Sequence, residues 1–368
     1  MSKKAVVAGH ICLDLTPIMT LPLNGLFKPG KLITIGEAKV HPGGCVANTG
    51  LAMRIMGADV RLIAKTGADS FGTIIREILS DFGADAKLII DRNSSTSYSI
   101  VLAPPNADRM FLHHPGANDT FIGEDISDNE IDDSALFHFG YPPVMRKMYE
   151  CEGAALAALF ARIKHAGIAT SLDFSSIDPE SEAGAVNWER VIAALIPDVD
   201  FFLPSFEELL FMLDRTRYDD LLAQAAGGDI SELLDVNRDV KPLAIKLLSM
   251  GAKVVMIKCG RPGIYLRCAS DQNLSEVGKK LCLNTAAWAD KEIFEPSYHV
   301  DQVLSGVGAG DTSIAAFLAA VLKEESPENC LRLATAAGAC CVQSYDAISG
   351  LKPLNELQKM IDSGWEKV

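Results

Sequence analysis

The sequence lacks the marks of several large classes of protein. It has no run of about 18 uninterrupted apolar residues, the length that a transmembrane helix needs. Its nine cysteines are odd in number and irregularly spaced, and no C-x-x-C pair occurs, so neither a disulfide framework nor a structural zinc site is predicted. Positive charge is scarce: 34 Lys and Arg against 48 Asp and Glu leave a net charge of −14, which argues against a large nucleic-acid or anionic-membrane surface. We expect reduced, mostly buried thiols and a cytoplasmic location.

The size and composition are those of a globular protein. A length of 368 residues allows two average domains, or one large α/β domain with an appendage. Hydrophobic residues make up 48% of the chain and charged residues 22%, so a sizeable core is expected. The N-terminus passes directly into the apolar run 4–9, without the features of a secretory signal.

Most of the chain alternates between predicted strands and predicted helices. Strands are predicted over residues 4–9, 60–64, 136–139, 170–173, 201–203 and 254–258. Helices are predicted over residues 46–56, 73–82, 151–166, 206–213, 243–250, 311–322 and 328–344. Such alternation predicts a mainly parallel sheet with helices on both faces, and ligands then bind beyond the carboxyl ends of the strands. The polar stretches 215–240 and 270–297 are expected to be surface helices or loops.

Two segments differ from this pattern in their residue types and are expected to form a small separate β layer. Residues 16–30 are punctuated by prolines, and residues 32–40 alternate like a half-exposed strand. Residues 96–114 predict a hairpin. We therefore divide the chain into a main α/β domain (1–14, 41–95 and 119–368) and a β lid (15–40 and 96–118).

The most informative motif is Gly-Val-Gly-Ala-Gly-Asp at 306–311, which opens a predicted helix. Its glycines let backbone N–H groups converge on one point, and the helix dipole adds positive potential there, so the loop is a cradle for an anion. Asp311 would repel a bound phosphate, but it makes sense as a base that takes the proton of a hydroxyl during phosphoryl transfer. The alternative is a glycine-rich turn with Asp311 as an ordinary N-cap.

Four other clusters lie where predicted strands end. They are Gly-His-Ile-Cys-Leu-Asp at 9–14, Pro-Gly-Gly-Cys-Val-Ala-Asn at 42–48, Pro-Ser-Phe-Glu-Glu at 204–208 and Lys-Cys-Gly-Arg-Pro-Gly at 258–263. With the loop at 306–311 and Thr-Gly-Ala-Asp-Ser-Phe-Gly at 66–72, they follow one another in the order found in the ribokinase-like (PfkB) family of carbohydrate and nucleoside kinases. The chain resembles that family over nearly its whole length. The resemblance implies a three-layer α/β sandwich with a mainly parallel central sheet and a small β-sheet lid.

The resemblance also implies a role for each matching residue. Asp311 would be the general base, and the backbone of Gly308, Ala309 and Gly310 would be the anion hole. The residues implied for substrate binding are Asp14, Gly43, Gly44, Asn48 and Asn118. Those implied for nucleotide binding are Ser205, Lys258, Gly260, Gly263 and Thr335. Glu208 would hold Mg²⁺ through water, and ATP would be the phosphoryl donor. The pair His113 and His114 either touches substrate or is structural.

Three positions depart from the family pattern. Ser305 and Gly306 stand where the family commonly has Asp-Thr, which helps to build a monovalent-cation site, so dependence on K⁺ stays open. Ser205 replaces the usual Asn of the magnesium motif, and Val46 replaces a small residue beside the sugar site. The base and the anion hole are retained.

The expected function is ATP-dependent phosphorylation of a primary hydroxyl on a sugar or sugar-like molecule. A nucleoside kinase of the same family and a catalytically silent ligand-binding protein are the alternatives. A P-loop kinase is excluded because no G-x-x-x-x-G-K-[ST] run occurs, and a dinucleotide oxidoreductase is disfavoured because the glycine loop does not follow the first strand. A homodimer formed through the lid is possible, and the identity of the sugar is left open.

Overall fold

The computed structural model describes residues 3–20, 29–104 and 110–368. Its strands are β1 (Lys4–Gly9), β2 (Cys12–Pro17), β3 (Ala38–Gly43), β4 (Asp59–Gly67), β5 (Asp85–Asp91), β6 (Tyr98–Leu102), β7 (Met110–His114), β8 (Ser134–Gly140), β9 (Ala169–Asp173), β10 (Phe201–Phe202), β11 (Val254–Lys258), β12 (Gly263–Cys268) and β13 (Glu292–Pro296). Its α-helices are α1 (Cys45–Ile55), α2 (Ser70–Asp81), α3 (Arg146–His165), α4 (Trp188–Leu195), α5 (Phe206–Leu213), α6 (Arg215–Ala225), α7 (Lys241–Ser249), α8 (Asp271–Leu274), α9 (Thr285–Trp288), α10 (Ala309–Leu322), α11 (Pro327–Cys341) and α12 (Leu354–Asp362).

The central sheet has nine strands in the order β13-β12-β11-β10-β9-β8-β1-β4-β5. Neighbouring strands from β11 to β5 are parallel, and β12 and β13 add an antiparallel edge. Both faces are buried: in β1, Ala5 and Val7 belong to one apolar core, while Val6 and Ala8 belong to the other. Helices α1, α10 and α11 cover the first face, and α3, α4, α5 and α7 cover the second. The predicted three-layer α/β architecture is confirmed.

A four-stranded sheet, in the order β3-β2-β6-β7, forms the lid. Two residues separate β1 from β2, and β6 and β7 form the predicted hairpin. The strand predicted over 32–40 is wrong for most of its length, because β3 spans Ala38–Gly43. Residues 31–37 are largely exposed and therefore have no buried face to hold them in a strand. Parts of the predicted segments 16–30 and 96–114 lie outside the described residues.

Several elements differ from the sequence-based prediction. Strand β13 lies within 270–297, which we expected to be surface helices or loops, and it pairs with β12 at the sheet edge. Its side chains are half-buried, so it lacks a continuous apolar run. The helix predicted over 151–166 is present as the longer part of α3, and a short helical segment from Arg146 precedes it across a non-helical kink at 150–153. Helix α10 begins at Ala309, two residues before the predicted start.

Candidate active site

Helix α10 begins at the edge of the sheet with the glycine loop at its N-terminus. Gly308 is the N-cap and has φ 77°, a left-handed conformation that glycine adopts without strain. A Cβ on Gly308 would lie 2.2 Å from the Cβ of Ala347, so the close approach of these two loops also requires glycine. Asp311 is the third residue of the helix, and the alternative interpretation of Asp311 as the N-cap is therefore wrong.

The carboxylate of Asp311 is buried and is held by three donors. Its Oδ2 accepts from the Nδ2 of Asn48 at 3.0 Å and from the hydroxyl of Tyr141 at 2.7 Å, and its Oδ1 accepts from the hydroxyl of Thr49 at 3.1 Å. Asn48 and Thr49 belong to α1, and Tyr141 follows β8. Such a carboxylate has a fixed orientation, as a general base needs.

Tyr141 and Thr49 were not predicted from the sequence. Tyr141 has φ 69° and directly follows a buried strand, and a polar residue at a strand end was the signal that could have found it. Burial, followed by the charges of Asp311 and Asp173, raises the pKa of Tyr141 well above its usual value. Its hydroxyl therefore keeps its proton and remains a donor to Asp311.

Asp14 lies on the lid strand β2 and pairs with His41 of β3, two residues before the glycine pair. A Cβ on Gly43 would be 2.2 Å from the Oδ2 of Asp14, and a Cβ on Gly44 would be 2.4 Å from the Nδ1 of His10. Both glycines are therefore required by close approach to side chains of the protein itself, and their contact with substrate stays a prediction. Burial raises the pKa of Asp14. Hydrogen bonds from Cys12 and Ser99 lower it, but by less, so the pKa is raised overall.

A cavity of about 50 Å³ separates the lid from the main domain. It is lined by Asp14, Thr16, His41, Pro42, Asn48, Val101, Phe111, Val307, Tyr345, Asp346, Ala347 and Ile348. Asn48 lines the cavity and also donates to Asp311, so one hydrogen bond links the cavity lining to the candidate base. His41 and Asp346 are lining residues that no sequence motif indicated.

Asn118 and the histidine pair have structural partners. The buried amide of Asn118 accepts from the backbone N of Ile11 at 3.3 Å and donates to its carbonyl at 2.8 Å. This clamp on the link between β1 and β2 favours a structural role for Asn118 over the predicted substrate contact, which stays untested. The Nδ1 of His113 is 3.1 Å from the hydroxyl of Ser99, and the His113 ring packs on His10 with centroids 5.2 Å apart. The Nε2 of His114 is 2.8 Å from the hydroxyl of Ser95.

The predicted metal ligand lies at the start of α5. Ser205 and Glu208 form a reciprocal capping box: the Ser205 hydroxyl accepts from the Glu208 N at 3.2 Å, and the Glu208 carboxylate accepts from the Ser205 N at 2.7 Å. Ser205 also bridges Lys258 at the end of β11. The magnesium motif and the nucleotide motif are therefore side by side.

Of the other predicted nucleotide contacts, Gly260 and Gly263 border a tight turn. They have φ 65° and φ 137°, respectively, so both need the freedom of glycine. Thr335 is buried on α11, and its hydroxyl lies 3.1 Å from the carbonyl oxygen of Leu331 in its own helix. Its contact with a nucleotide stays a prediction.

The sequence also missed Asp173, at the end of β9. Its Oδ1 accepts from the Nζ of Lys258 at 2.6 Å, and both side chains are buried. Burial raises the pKa of Asp173 well above its usual value, with help from Glu208 and Asp311 and against the effect of Lys258. Burial lowers the pKa of Lys258, but Asp173 and Glu208 outweigh it and raise the pKa overall.

These residues fit the way in which proteins hold Mg²⁺. Magnesium is usually bound by one or two carboxylates together with waters and substrate phosphates, not by an all-protein cage. In the described part of the chain no group of three or more His, Cys, Asp or Glu side chains is arranged to hold a metal. Glu208, whose charge acts on Asp173 and Lys258, is suited to such a water-mediated site.

Comparison with known proteins assigns the chain to a family. The model of the pfkB family carbohydrate kinases matches residues 2–353. The chain belongs to the pfkB family of carbohydrate kinases. The kinase is 23% identical to a ribokinase of Arabidopsis thaliana over 92% of this chain and 77% of that one. It is 26% identical to fructokinase-1 of Oryza sativa subsp. japonica over 90% and 92% of the two chains.

Solved structures establish the fold of this kinase. The ribokinase of Arabidopsis thaliana in complex with ribose and ATP superimposes with a TM-score of 0.72 at 21% identity, over 98% of this chain and 99% of that one. A ribokinase II from E. coli with ATP and Mg²⁺ gives the same TM-score at 18% identity, also over 98% and 99%. Across the described ranges, no helix combines the length and the apolar character needed to cross a bilayer.

Proposed function

We propose that this kinase transfers the terminal phosphoryl group of ATP to a primary hydroxyl of a sugar or sugar-like substrate. One arrangement carries the proposal: Asp311, at the N-terminus of α10, is fixed by three donors and linked through Asn48 to a cavity that also contains Asp14. The proposed hydroxyl-binding carboxylate lines this cavity, and one hydrogen bond from Asn48 connects the cavity lining to the base beside the anion cradle.

The residues divide the reaction between them. The carboxylate of Asp14 accepts hydrogen bonds from substrate hydroxyls and orients the acceptor. Asp311 takes the hydroxyl proton as the substrate oxygen bonds to phosphorus and the bond to the ADP oxygen breaks. The backbone N–H groups at 308–310 stabilise the charge that develops on the transferred group. Mg²⁺ bound near Glu208 would neutralise nucleotide phosphates.

A nucleoside kinase is the alternative within the family. Both candidates would use the same base, anion cradle and lid, and they differ in the acceptor that the lid covers. Selective phosphorylation of nucleosides would establish the alternative.

The test is ADP release from MgATP with neutral sugars, sugar acids and nucleosides as acceptors. Asp311→Asn should lower the rate by about 10²–10⁴-fold, as expected for loss of a general base. Asp301→Asn is the control, because that carboxylate is fully exposed. Nucleotide binding without acceptor-dependent ADP release on any compound would favour the silent ligand-binding protein.

We further propose a homodimer formed through the outer face of the lid. Ile100 and Leu102 pair in register with Leu112 and Met110, so these four side chains lie on one face of the sheet. Leu112 and Met110 are 53% and 44% exposed, which leaves apolar surface for a second copy to cover. Leu112→Glu should reduce the mass in sedimentation velocity from dimer to monomer. A wild-type monomer at high concentration would refute this proposal.

A further inference from the structure

A buried ion pair joins two strand ends beside the glycine loop. Strand β10 has only two residues, so it ends early between β9 and β11. Asp173, the last residue of β9, and Lys258, the last residue of β11, meet across this gap with Nζ and Oδ1 2.6 Å apart. Their side chains are 2% and 12% exposed.

The lysine side chain lies against the backbone of the anion cradle. A Cβ on Gly310 would be 3.5 Å from the Cδ of Lys258 and 3.6 Å from its Nζ. The backbone N of Lys258 donates to the carbonyl of Pro204 at 3.0 Å, which ties it to the segment that leads into Glu208. Lys258 therefore lies between the base helix and the predicted metal ligand.

From this placement, we propose that Lys258 is a catalytic residue whose ammonium contacts the transferring phosphoryl group, and that Asp173 is its positioning residue. This inference rests on the proposed kinase activity. Asp173, Glu208 and Asp311 bring three carboxylates to a site that must accept further negative charge. A fixed ammonium beside the cradle offsets that repulsion. Its attraction for the phosphoryl group is stronger in a buried site than in water. Lys258 neither gives nor takes a proton in the step.

The chain contains a matched pair that is structural. Lys164 forms an ion pair with the fully buried Asp200, whose carboxylate also accepts from the backbone N of Thr170 at the start of β9. This pair lies at the amino ends of the strands, away from the glycine loop. It is also a buried lysine–aspartate pair but cannot reach a phosphoryl group. Comparing variants of the two pairs therefore distinguishes a catalytic role from a stabilising one.

The experiment compares Lys258→Met, the double variant Lys258→Met with Asp173→Asn, and the control Lys164→Met with Asp200→Asn. Lys258→Met alone leaves Asp173 buried without its partner and should lower the thermal midpoint. The double variant removes both charges and should recover the midpoint. Its kcat should stay about 10²–10³-fold below wild type, as when a donor to the developing charge is lost, with little change in the KM for MgATP. The control, which likewise removes both charges of a buried pair, should keep its kcat.

A second readout does not depend on turnover. Aluminium fluoride with MgADP and acceptor mimics the transferring group, and it should tighten ADP binding in the wild type and the control but not in the double variant. A folded double variant with wild-type kcat and wild-type aluminium fluoride binding would overturn the role of Lys258. A wild-type protein that phosphorylates nothing would instead refute the proposed function, and this inference with it.

Discussion

Asp14, the proposed ligand of substrate hydroxyls, should make acceptor binding depend on pH. Because burial raises its pKa, Asp14 becomes protonated at a higher pH than an ordinary aspartate does. The protonated form loses the charge that strengthens its hydrogen bonds to hydroxyls. As pH falls through the raised pKa, we expect the KM for the acceptor to rise.

Asp14→Asn should raise the acceptor KM by about 10–100-fold, since hydrogen bonds to a charged group contribute about 1.5–3 kcal/mol. The kcat should change much less, because Asp311 is intact. Steady-state kinetics across pH measures both, and the acid rise in KM should vanish in the variant. A fall in kcat at constant KM would instead assign Asp14 to the chemical step.

His138 makes stability depend on pH. It is fully buried, its Nδ1 is 2.9 Å from the hydroxyl of Ser171, and burial, with a smaller effect of Lys258, lowers its pKa to about 3. Above the ordinary value of 6.5, both folded and unfolded states hold it neutral, so its contribution to stability is complete. Between 6.5 and about 3, only the unfolded state gains the proton, and stability falls as pH falls.

His138→Gln should therefore reduce the slope of the free energy of unfolding against pH by about 1.4 kcal/mol per pH unit below pH 6.5. Urea unfolding at several pH values measures the slope. His165→Gln is the control, because His165 is exposed on α3. Equal slopes in wild type and His138→Gln would contradict the assignment.

At the scale of single residues, motif and position predicted some contacts and missed others. The loop at 306–311 and the glycine pair at 43–44 have local signatures, since only glycine fits their conformations and close approaches. Tyr141 and Asp173 have none, because their contacts join residues more than 80 positions apart. Only the rule that ligands bind at the carboxyl ends of strands pointed to them.

At the scale of elements, two loops are joined where the family commonly has a cation site. The Ser305 hydroxyl accepts from the Val307 N at 3.1 Å, and the Cys341 thiol lies 3.4 Å from the Val307 carbonyl oxygen and 3.7 Å from that of Ala347. A neutral thiol of this chain therefore lies within reach of a carbonyl oxygen on each loop. We expect a kinase that works without a monovalent cation.

Replacing K⁺ by N-methyl-D-glucamine should leave both the rate and the thermal midpoint nearly unchanged. Ser305→Asp, which restores the charge, should make both respond to K⁺. Strong, saturable activation of the wild type by K⁺ would show that the two loops rearrange to admit the ion.

Element prediction succeeded where burial on both faces produced continuous apolar runs, as in β1 and β11. It failed at β5 and β13, whose edge positions leave their side chains only partly buried. It also failed over 31–37, which is largely exposed although Gly36 and Glu37 hydrogen-bond to Ile18 just beyond β2. Whether an edge segment forms a strand depends on its pairing partner in the sheet, which the local sequence does not specify.

At the scale of the whole molecule, the distribution of thiols is uneven. Cys151 and Cys282 are exposed, and the other seven of the nine cysteines are buried. Cys45 packs under Gly140 within reach of the charges of Asp311 and Asp173, and Cys341 touches the glycine loop. Burial raises the pKa of both thiols, which keeps them protonated and unreactive.

The reaction rate of the buried thiols therefore reports how fast the folded structure opens. Ellman's reagent should label two thiols per chain at once and the remaining seven only as fast as the fold opens, so the slow phase measures the rate of opening without any added probe. MgATP and acceptor should lengthen that phase, because bound ligands stabilise the closed form. A prompt reaction of all nine thiols would show that the layers around the sheet exchange with solvent far faster than their burial implies.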